Sequence, residues 1–224
     1  MAYRCFVFDL DGTLVDTSPG ILGSLRVMEQ RLGLEPLPDG VIRRFIGPPL
    51  LDSMMQYYRV GEDEGDEMIR VYREIYAAGG IQQAQVYPRV LDILGLLKER
   101  GVLRVVATLK QEQMAHKTLA AHDLAGRFDL VVGSRPADPA DPGLPRTKGE
   151  QIAFALRELE VAPAEAVMIG DSAYDGVGAK DAGVDFIPQL YGFGFAHGEE
   201  QGDYPWVFAP GTPEEFWEFV QKNI

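Results

Sequence analysis

The feature that most restricts the fold is a regular alternation of short apolar, β-prone segments with helical segments along most of the chain. The β-prone segments are residues 4–8, 103–107, 128–132, 166–169 and 184–187, and the helical patterns are residues 90–100, 111–121, 148–159 and 173–182. Strands that alternate with helices are joined by βαβ crossovers, which give a parallel sheet covered by helices on both faces. The sequence therefore predicts an α/β fold with a Rossmann-like parallel sheet core.

One stretch of consecutive helical patterns interrupts this alternation directly after the first predicted strand. Its helices are expected at residues 21–32, 40–45, 50–58 and 62–78, with glycines and prolines between and after them. We expect residues 17–83 to form a helical subdomain, inserted into a core domain of residues 1–16 and 84–224.

Composition restricts the partners of the chain. The formal net charge is −13, from 34 acidic and 21 basic residues. Nucleic-acid backbones and anionic membranes bind basic surfaces, so neither partner is expected. A small anionic substrate remains compatible, because one metal ion and a few lysines can reverse the local field in a cleft.

The sequence also indicates a cytoplasmic protein. No apolar run approaches the length of about 18 residues that a membrane helix needs, and the N-terminal residues do not resemble a signal peptide. The single cysteine, Cys5, excludes an internal disulfide. A monomer and a homodimer are both compatible with the sequence.

Three of the predicted strands end at a polar residue: Asp9, Thr108 and Asp171. In open parallel sheets, ligands bind beyond the carboxyl ends of the strands. We therefore expect these side chains to converge at one edge of the sheet.

Asp9 and Asp11 form the first acidic pair, followed by Gly12. Two carboxylates this close repel each other unless a cation or a proton lies between them, and hard oxygen ligands suit Mg²⁺. One carboxylate could then attack a phosphoryl group while the other transfers protons, and the N–H of Gly12 could bind a phosphate oxygen. An aspartate-rich turn with local hydrogen bonds explains this segment equally well on its own.

A second acidic cluster, Asp171 and Asp175, follows the strand at residues 166–169. Its carboxylates would join the first pair at the sheet edge, where several buried carboxylates are costly without a metal. Helix capping by Asp171 or Ser172 is the alternative, but a single cap explains only one of the two aspartates.

Thr108 and Lys148 are candidate phosphate ligands. A hydroxyl beside backbone N–H groups at a helix start can bind an anion, although an N-cap threonine explains Thr108 as well. A lysine at a helix start opposes the helix dipole, so a phosphate and an aspartate would stabilise Lys148 there. An exposed surface lysine is the alternative.

Taken together, these motifs resemble the four-motif signature of the haloacid dehalogenase-like (HAD) phosphatases. The resemblance covers nearly the whole chain, and the helical stretch matches that family's cap. The segments Phe45-Ile46-Gly47-Pro48-Pro49-Leu50 and Tyr174-Asp175-Gly176-Val177-Gly178-Ala179 are similar to its phosphoglycolate phosphatase branch.

The resemblance implies a magnesium-dependent phosphatase acting on a small phosphorylated substrate. The implied roles are a nucleophile at Asp9, a general acid and base at Asp11, phosphate ligands at Gly12, Thr108, Leu109 and Lys148, magnesium ligands at Asp9, Asp171 and the backbone carbonyl of Asp11, and a supporting carboxylate at Asp175. Leu109 departs from the family, whose members usually carry a small polar residue there. Arg89 stands where a glycine is common.

The cap supplies substrate specificity in this family. The candidate specificity residues are Thr17, Ser18, Arg43, Arg44, Gly47 and Lys110, the last being also the alternative to Lys148 as the phosphate lysine. An arginine could bind a substrate carboxylate through two hydrogen bonds, whereas a solvated helix face is the alternative for Arg43 and Arg44.

Phosphoglycolate is the substrate that the branch resemblance implies, and sugar phosphates, nucleotides and pyrophosphate are alternatives. A phosphosugar mutase of the β-phosphoglucomutase type is a second function on the same fold, disfavoured by Thr13 after Gly12 and by the absence of a histidine after Thr17. A dehalogenase, which needs no metal, is disfavoured by Asp171 and Asp175. A non-catalytic binding protein is disfavoured by the intact acidic set.

Overall fold

The computed structural model describes residues 3–135, 143–195 and 202–224. In chain order the strands are β1 (Cys5–Phe8), β2 (Val15–Asp16), β3 (Gln85–Val86), β4 (Leu103–Gln111), β5 (Leu130–Ser134), β6 (Ala166–Gly170) and β7 (Asp185–Pro188). The helices are α1 (Ser18–Leu32), α2 (Asp39–Ile42), α3 (Leu50–Tyr58), α4 (Glu62–Ile75), α5 (Val90–Glu99), α6 (Glu112–Ala121), α7 (Lys148–Glu158), α8 (Ala173–Ala182) and α9 (Pro213–Asn223). Short 3₁₀ turns lie at Arg43–Phe45, Ile81–Gln83 and Pro163–Glu165, and a π turn lies at Tyr76–Gly80.

Five strands form a parallel sheet in the order β5-β4-β1-β6-β7. The predicted α/β fold with a parallel sheet is confirmed. The strand β1 lies at the centre, between β4 and β6, so its carboxyl end is flanked by the carboxyl ends of both neighbours. This topology brings Asp9 close to Asp171, although 161 residues separate them in the chain.

One predicted boundary is wrong in a way that affects the site. Strand β4 does not end at residue 107 but continues to Gln111, with a shift of register between Ala107 and Gln111 against β5. Within this irregularity the hydroxyl of Thr108 accepts a hydrogen bond from the N–H of Lys110 at 3.2 Å. Thr108 therefore lies in an irregular strand, and Gln111, rather than Thr108, precedes helix α6.

The side chains of β1 explain why the sheet is covered on both faces. Phe6 and Phe8 point into one apolar cluster with helices α5 and α9, and Cys5 and Val7 point into another with α7. A strand that is apolar on both faces is typical of a parallel sheet covered by helices. Helix α9 and the two-residue strands β2 and β3 were not predicted.

The helices α1 to α4 surround a third apolar cluster, which includes Leu25, Met54 and Tyr72. The buried carboxylate of Glu29 lies at the edge of this cluster. It accepts hydrogen bonds from the N–H of Leu37 at 2.8 Å and from the hydroxyl of Tyr58 at 2.9 Å, and so links the segments that carry these two residues. Strand β2 lies where the chain leaves the sheet for these helices, and β3 lies where it returns. The two strands pair in antiparallel fashion and so join the helices to the sheet. Among the described residues, no helix has the length and apolar character that crossing a membrane would require.

Candidate active site

Asp9 lies directly beyond β1, where its N–H donates to the carbonyl oxygen of Ile169 at 2.8 Å. This bond continues the pairing of β1 with β6 by one residue. The carboxylate is largely buried, and its Oδ1 lies 2.9 Å from the Nζ of Lys148. The end of the central strand therefore holds a buried carboxylate–ammonium pair.

Lys148 is the first residue of α7, where the capping residues Thr147 and Glu150 bond reciprocally to each other's backbone N–H groups. Its ammonium also lies 2.8 Å from Oδ1 of Asp175 and donates to the carbonyl oxygen of Ala107 at 2.9 Å. Burial lowers the pKa of this ammonium, but the attraction of the two carboxylates outweighs burial, and the pKa lies above its usual value. Lys148 is therefore charged, and three oxygens offset both its burial and its position at a helix start.

Asp171 lies beyond β6 and is held by backbone groups of a later loop. Its Oδ2 accepts hydrogen bonds from the N–H groups of Phe193, at 2.5 Å, and Gly194, at 3.2 Å. The hydroxyl of Thr13 approaches Oδ1 at 3.4 Å. These donors fix the orientation of the carboxylate, and the two backbone donors from the loop have no signal in the sequence.

Gly12 is required by this arrangement. Its φ is +85°, and a Cβ atom there would lie 2.3–2.7 Å from the carboxylate atoms of Asp171. Any other residue would therefore displace Asp171 or strain the backbone.

Asp175 combines the two alternatives that the sequence left open. Ser172 is the N-cap of α8. Its N–H and its hydroxyl both donate hydrogen bonds to Oδ2 of Asp175, at 3.1 Å and 2.7 Å. The other oxygen, Oδ1, lies against Lys148. The carboxylate is thus fixed by a helix cap on one side and an ion pair on the other.

Oxygens of Asp9, Asp171 and Asp175 lie within 4.8 Å of one another. Burial raises the pKa of Asp9 to about 6, because desolvation and the carboxylate of Asp175 together outweigh the opposing effect of Lys148. Burial, with the charges of Asp175 and Asp9, also raises the pKa of Asp171 well above its usual value. Three buried carboxylates beside a single ammonium form a site whose remaining negative charge suits a divalent cation.

Asp11 lies outside this cluster. Both of its carboxylate oxygens lie 3.0 Å from the Nζ of Lys110, which also donates to the hydroxyl of Tyr76 at 3.3 Å. Lys110 belongs to the sheet and Tyr76 to the helical region, so the ammonium bridges the two. The carboxylates of Asp9 and Asp11 thus have different cationic partners.

Thr108 is buried next to these groups, and its carbonyl oxygen accepts from the side-chain amide of Gln151 in α7 at 2.9 Å. Together with the bond from Lys148 to Ala107, this fixes the start of α7 against the end of β4. The hydroxyl of Thr108 accepts its hydrogen bond locally, from the N–H of Lys110.

A cavity of about 360 Å³ opens beside Asp11, between the helical region and the sheet edge. Of the predicted specificity residues, Gly47 and Lys110 line it, and so does Leu109. Thr17 is buried outside it, as the N-cap of α1, and Ser18 bonds to Asp16 nearby.

Both Arg43 and Arg44 are exposed and do not line this cavity. An arginine that was not singled out in the sequence, Arg73 of α4, does line it. Its only sequence signal is a cationic position on a helix of the insertion, which several other residues share.

A family model described as haloacid dehalogenase-like hydrolase matches residues 6–188. A 5'-nucleotidase of Pseudomonas aeruginosa is 33% identical over 194 residues, which are 87% of this chain and 86% of that protein. A phosphoglycolate phosphatase of Caulobacter vibrioides is 31% identical over 191 residues, covering 83% of this chain and 78% of that protein. The tyrosine-protein kinase PtkA of Mycobacterium tuberculosis is 31% identical over 191 residues, and this match spans 85% of the chain but only 63% of the kinase.

Among solved structures, a predicted phosphatase from Clostridium acetobutylicum superposes with a TM-score of 0.82 and 30% identity, covering 99% of this chain and 100% of that one. The similarity extends over the helical region as well as the sheet, and the family match includes the ends of β1, β4 and β6. The chain belongs to the haloacid dehalogenase-like hydrolase family.

Proposed function

We propose that this chain is a magnesium-dependent phosphatase that hydrolyses a small phosphomonoester through a phosphoryl intermediate on Asp9. The observation that carries the proposal is the buried carboxylate of Asp9, which is paired with Lys148 and adjoins Asp171 and Asp175. An aspartate in this environment is a fixed oxygen nucleophile beside a strong positive charge. The phosphatase names among the relatives support the same activity.

The residues fit a magnesium ion. Asp9 and Asp171 offer carboxylate oxygens at the edge of the cluster, and the backbone carbonyl of Asp11 would complete the protein ligands. Asp175 would support them, since both its oxygens are already engaged. When bound, the ion would offset the charge of the phosphoryl oxygens and of the carboxylates.

The chain's own groups account for both chemical steps. In the first, an oxygen of Asp9 attacks phosphorus, the bond from phosphorus to the alcohol oxygen breaks, and Asp11 donates a proton to the departing oxygen. In the second, Asp11 takes a proton from a water molecule whose oxygen attacks phosphorus, which releases phosphate and restores Asp9. The ammonium of Lys148, the hydroxyl of Thr108 and the N–H of Gly12 would hold the phosphoryl group, with Leu109 adjoining it.

Residues 17–83 would form the cap domain, and residues 1–16 and 84–224 the core domain. The separate apolar cluster of α1 to α4 and the β2–β3 pair at the two crossings support this division. The bridge from Asp11 through Lys110 to Tyr76 would then join core and cap at the catalytic acid. Closure of the cap over the site would exclude bulk water from the reaction.

Phosphoglycolate is one candidate substrate, but relatives of similar identity are also named as a 5'-nucleotidase and a putative pyrophosphatase. The test is a phosphate-release screen over phosphorylated metabolites, with Mg²⁺ and with excess chelator. We expect release only with Mg²⁺, and none from the Asp9→Asn variant. Asp129→Asn, which removes a carboxylate at the start of β5, at the opposite edge of the sheet, is the matched control and should remain active.

Phosphate release by Asp9→Asn, or release that survives complete chelation, would contradict the proposal. Conversion of a hexose phosphate to its isomer without free phosphate would show a mutase instead.

A further inference from the structure

The cavity beside Asp11 is large for a two-carbon leaving group. Its volume of about 360 Å³ lies within the range of about 300–1,000 Å³ that is usual for sites of small organic ligands. Its walls combine apolar and aromatic side chains, among them Phe45, Ile69, Tyr72 and Met114. The cavity starts at the proposed acid Asp11, so its contents would be the alcohol portion of the substrate.

Three cationic side chains line this cavity, and two of them already have acidic partners. Lys110 lies 3.0 Å from Asp11, and Arg135 lies 2.8 Å from Glu112. Arg73 has no carboxylate within ion-pair distance anywhere in residues 3–135, 143–195 and 202–224. In a chain with 34 acidic and 21 basic residues, an arginine that lines a cavity without an acidic partner is a candidate binding group.

The neighbouring arginine Arg70 shows the contrast. It lies on the same helix, α4, and is paired with Glu67 and Glu74 on the outer surface. All four arginines are exposed to solvent, but Arg70, Arg43 and Arg44 do not line the cavity. Of these four arginines of the helical region, only Arg73 faces the space beside the proposed acid.

We propose that Arg73 is a specificity residue that binds a second oxyanion on the substrate. Resting on the proposed phosphatase activity, this inference names the substrate class: a phosphomonoester whose alcohol is larger than glycolate and carries a carboxylate or a second phosphate. A guanidinium binds either oxyanion through two parallel hydrogen bonds. The aromatic and apolar walls would contact the carbon skeleton between the two anionic ends.

The experiment compares hydrolysis of glucose 6-phosphate, 6-phosphogluconate and fructose 1,6-bisphosphate, with p-nitrophenyl phosphate and phosphoglycolate as further substrates. The three sugar substrates are similar in size, but the first has no second anion, the second has a carboxylate and the third has a phosphate. The enzymes are the wild type, Arg73→Ala and the control Arg70→Ala. Steady-state kinetics with Mg²⁺ give kcat and KM for each pair.

We expect the wild type to prefer at least one acidic sugar substrate over both glucose 6-phosphate and phosphoglycolate. Arg73→Ala should raise KM for that substrate by about 10- to 100-fold, the loss expected for charged hydrogen bonds, and leave the kinetics of p-nitrophenyl phosphate unchanged. The responding substrate distinguishes a carboxylate site from a phosphate site. Arg70→Ala should leave every KM unchanged.

The inference is overturned if the wild type shows no preference for either acidic sugar substrate. It is also overturned if Arg73→Ala and Arg70→Ala equally change the KM for the acidic sugar substrates relative to the KM for glucose 6-phosphate. Absence of Mg²⁺-dependent release from p-nitrophenyl phosphate by the wild type would instead overturn the phosphatase proposal on which it rests. The two failures are therefore distinguishable.

Discussion

Replacement of Lys148 by methionine would isolate the buried ion pairs at the centre of the site. Its side chain is 4% exposed, and the ammonium lies 2.9 Å from Asp9 and 2.8 Å from Asp175. Methionine keeps an unbranched apolar stem of similar length, but it leaves both carboxylates without their cation. Loss of one partner from a buried ion pair typically lowers the free energy of unfolding by about 3–5 kcal/mol.

For a chain of this size, that loss corresponds to a fall in Tm of about 6–20 °C near neutral pH, measured by thermal unfolding in chelator. Phosphate release should fall by at least about 100-fold, because the charge proposed to hold the phosphoryl group is also removed. Adding Asp175→Asn to Lys148→Met should restore part of the stability, since it removes one of the two uncompensated charges.

Lys180→Met is the matched control. Lys180 also pairs with an aspartate, Asp203, but the two side chains are 57% and 100% exposed. Its replacement should leave both Tm and activity unchanged. A Tm for Lys148→Met equal to that of Lys180→Met would refute the reasoning, because the buried pairs would then contribute no more than a surface pair.

Three further predictions concern the helical region, the turn after β1 and the acidic cluster. Glu29→Ala should lower the free energy of unfolding by about 2–4 kcal/mol in chemical denaturation, because the hydroxyl of Tyr58 and a backbone N–H lose their buried acceptor; a change below about 0.5 kcal/mol would contradict this. Gly12→Ala should weaken Mg²⁺ binding at least about 10-fold in calorimetry, since a Cβ would meet the site's carboxylate, whereas Gly33→Ala, also at positive φ but with open space around it, should not. The pKa of Asp9 is raised to about 6, so between the usual pKa of an aspartate and pH 6 the folded state binds a proton that the unfolded state has lost. In chelator, Tm should therefore fall as the pH rises through this interval. Mg²⁺ should remove this loss, and an identical pH dependence of Tm with and without Mg²⁺ would show that the cluster does not bind the ion.

The sheet and the convergence of its polar strand ends could be predicted from sequence because both follow from short-range patterns. Apolar runs that alternate with helical patterns predict a parallel sheet, and a parallel sheet places the residues after its strands at one edge. Asp9 and Asp171 needed no further information to be placed near each other. The family resemblance rested on the same residues.

The contacts that define the site depend on distant segments without a strong local signal. Asp171 is held by backbone N–H groups of Phe193 and Gly194, a donor that every residue except proline carries, so these two contacts leave no side-chain signal in the sequence. The extension of β4 past Thr108 depends on an irregular pairing with β5 rather than on the residues of β4 alone. Pairing of strands is decided by tertiary context, so such an irregularity is not encoded in a strand's own propensity.

The arginines of the helical region show the same limit. Arg43 and Arg44 precede a glycine–proline loop that lines the cavity, but the two arginines themselves do not line it. Which face of α4 meets the cavity depends on how the helices pack, and this packing places Arg73 there and Arg70 outside. Sequence spacing alone gives the relative direction of two helical residues, but not which direction faces the substrate.

The central claim, that Asp9 carries the phosphoryl group, is tested most directly by acid-quenching the enzyme during turnover of p-nitrophenyl phosphate with Mg²⁺ and mapping any phosphoryl adduct by mass spectrometry. The account predicts one adduct, on the carboxylate of Asp9, which appears and decays with turnover and is absent from Asp9→Asn. An adduct on another residue, or normal phosphate release by Asp9→Asn, would contradict it.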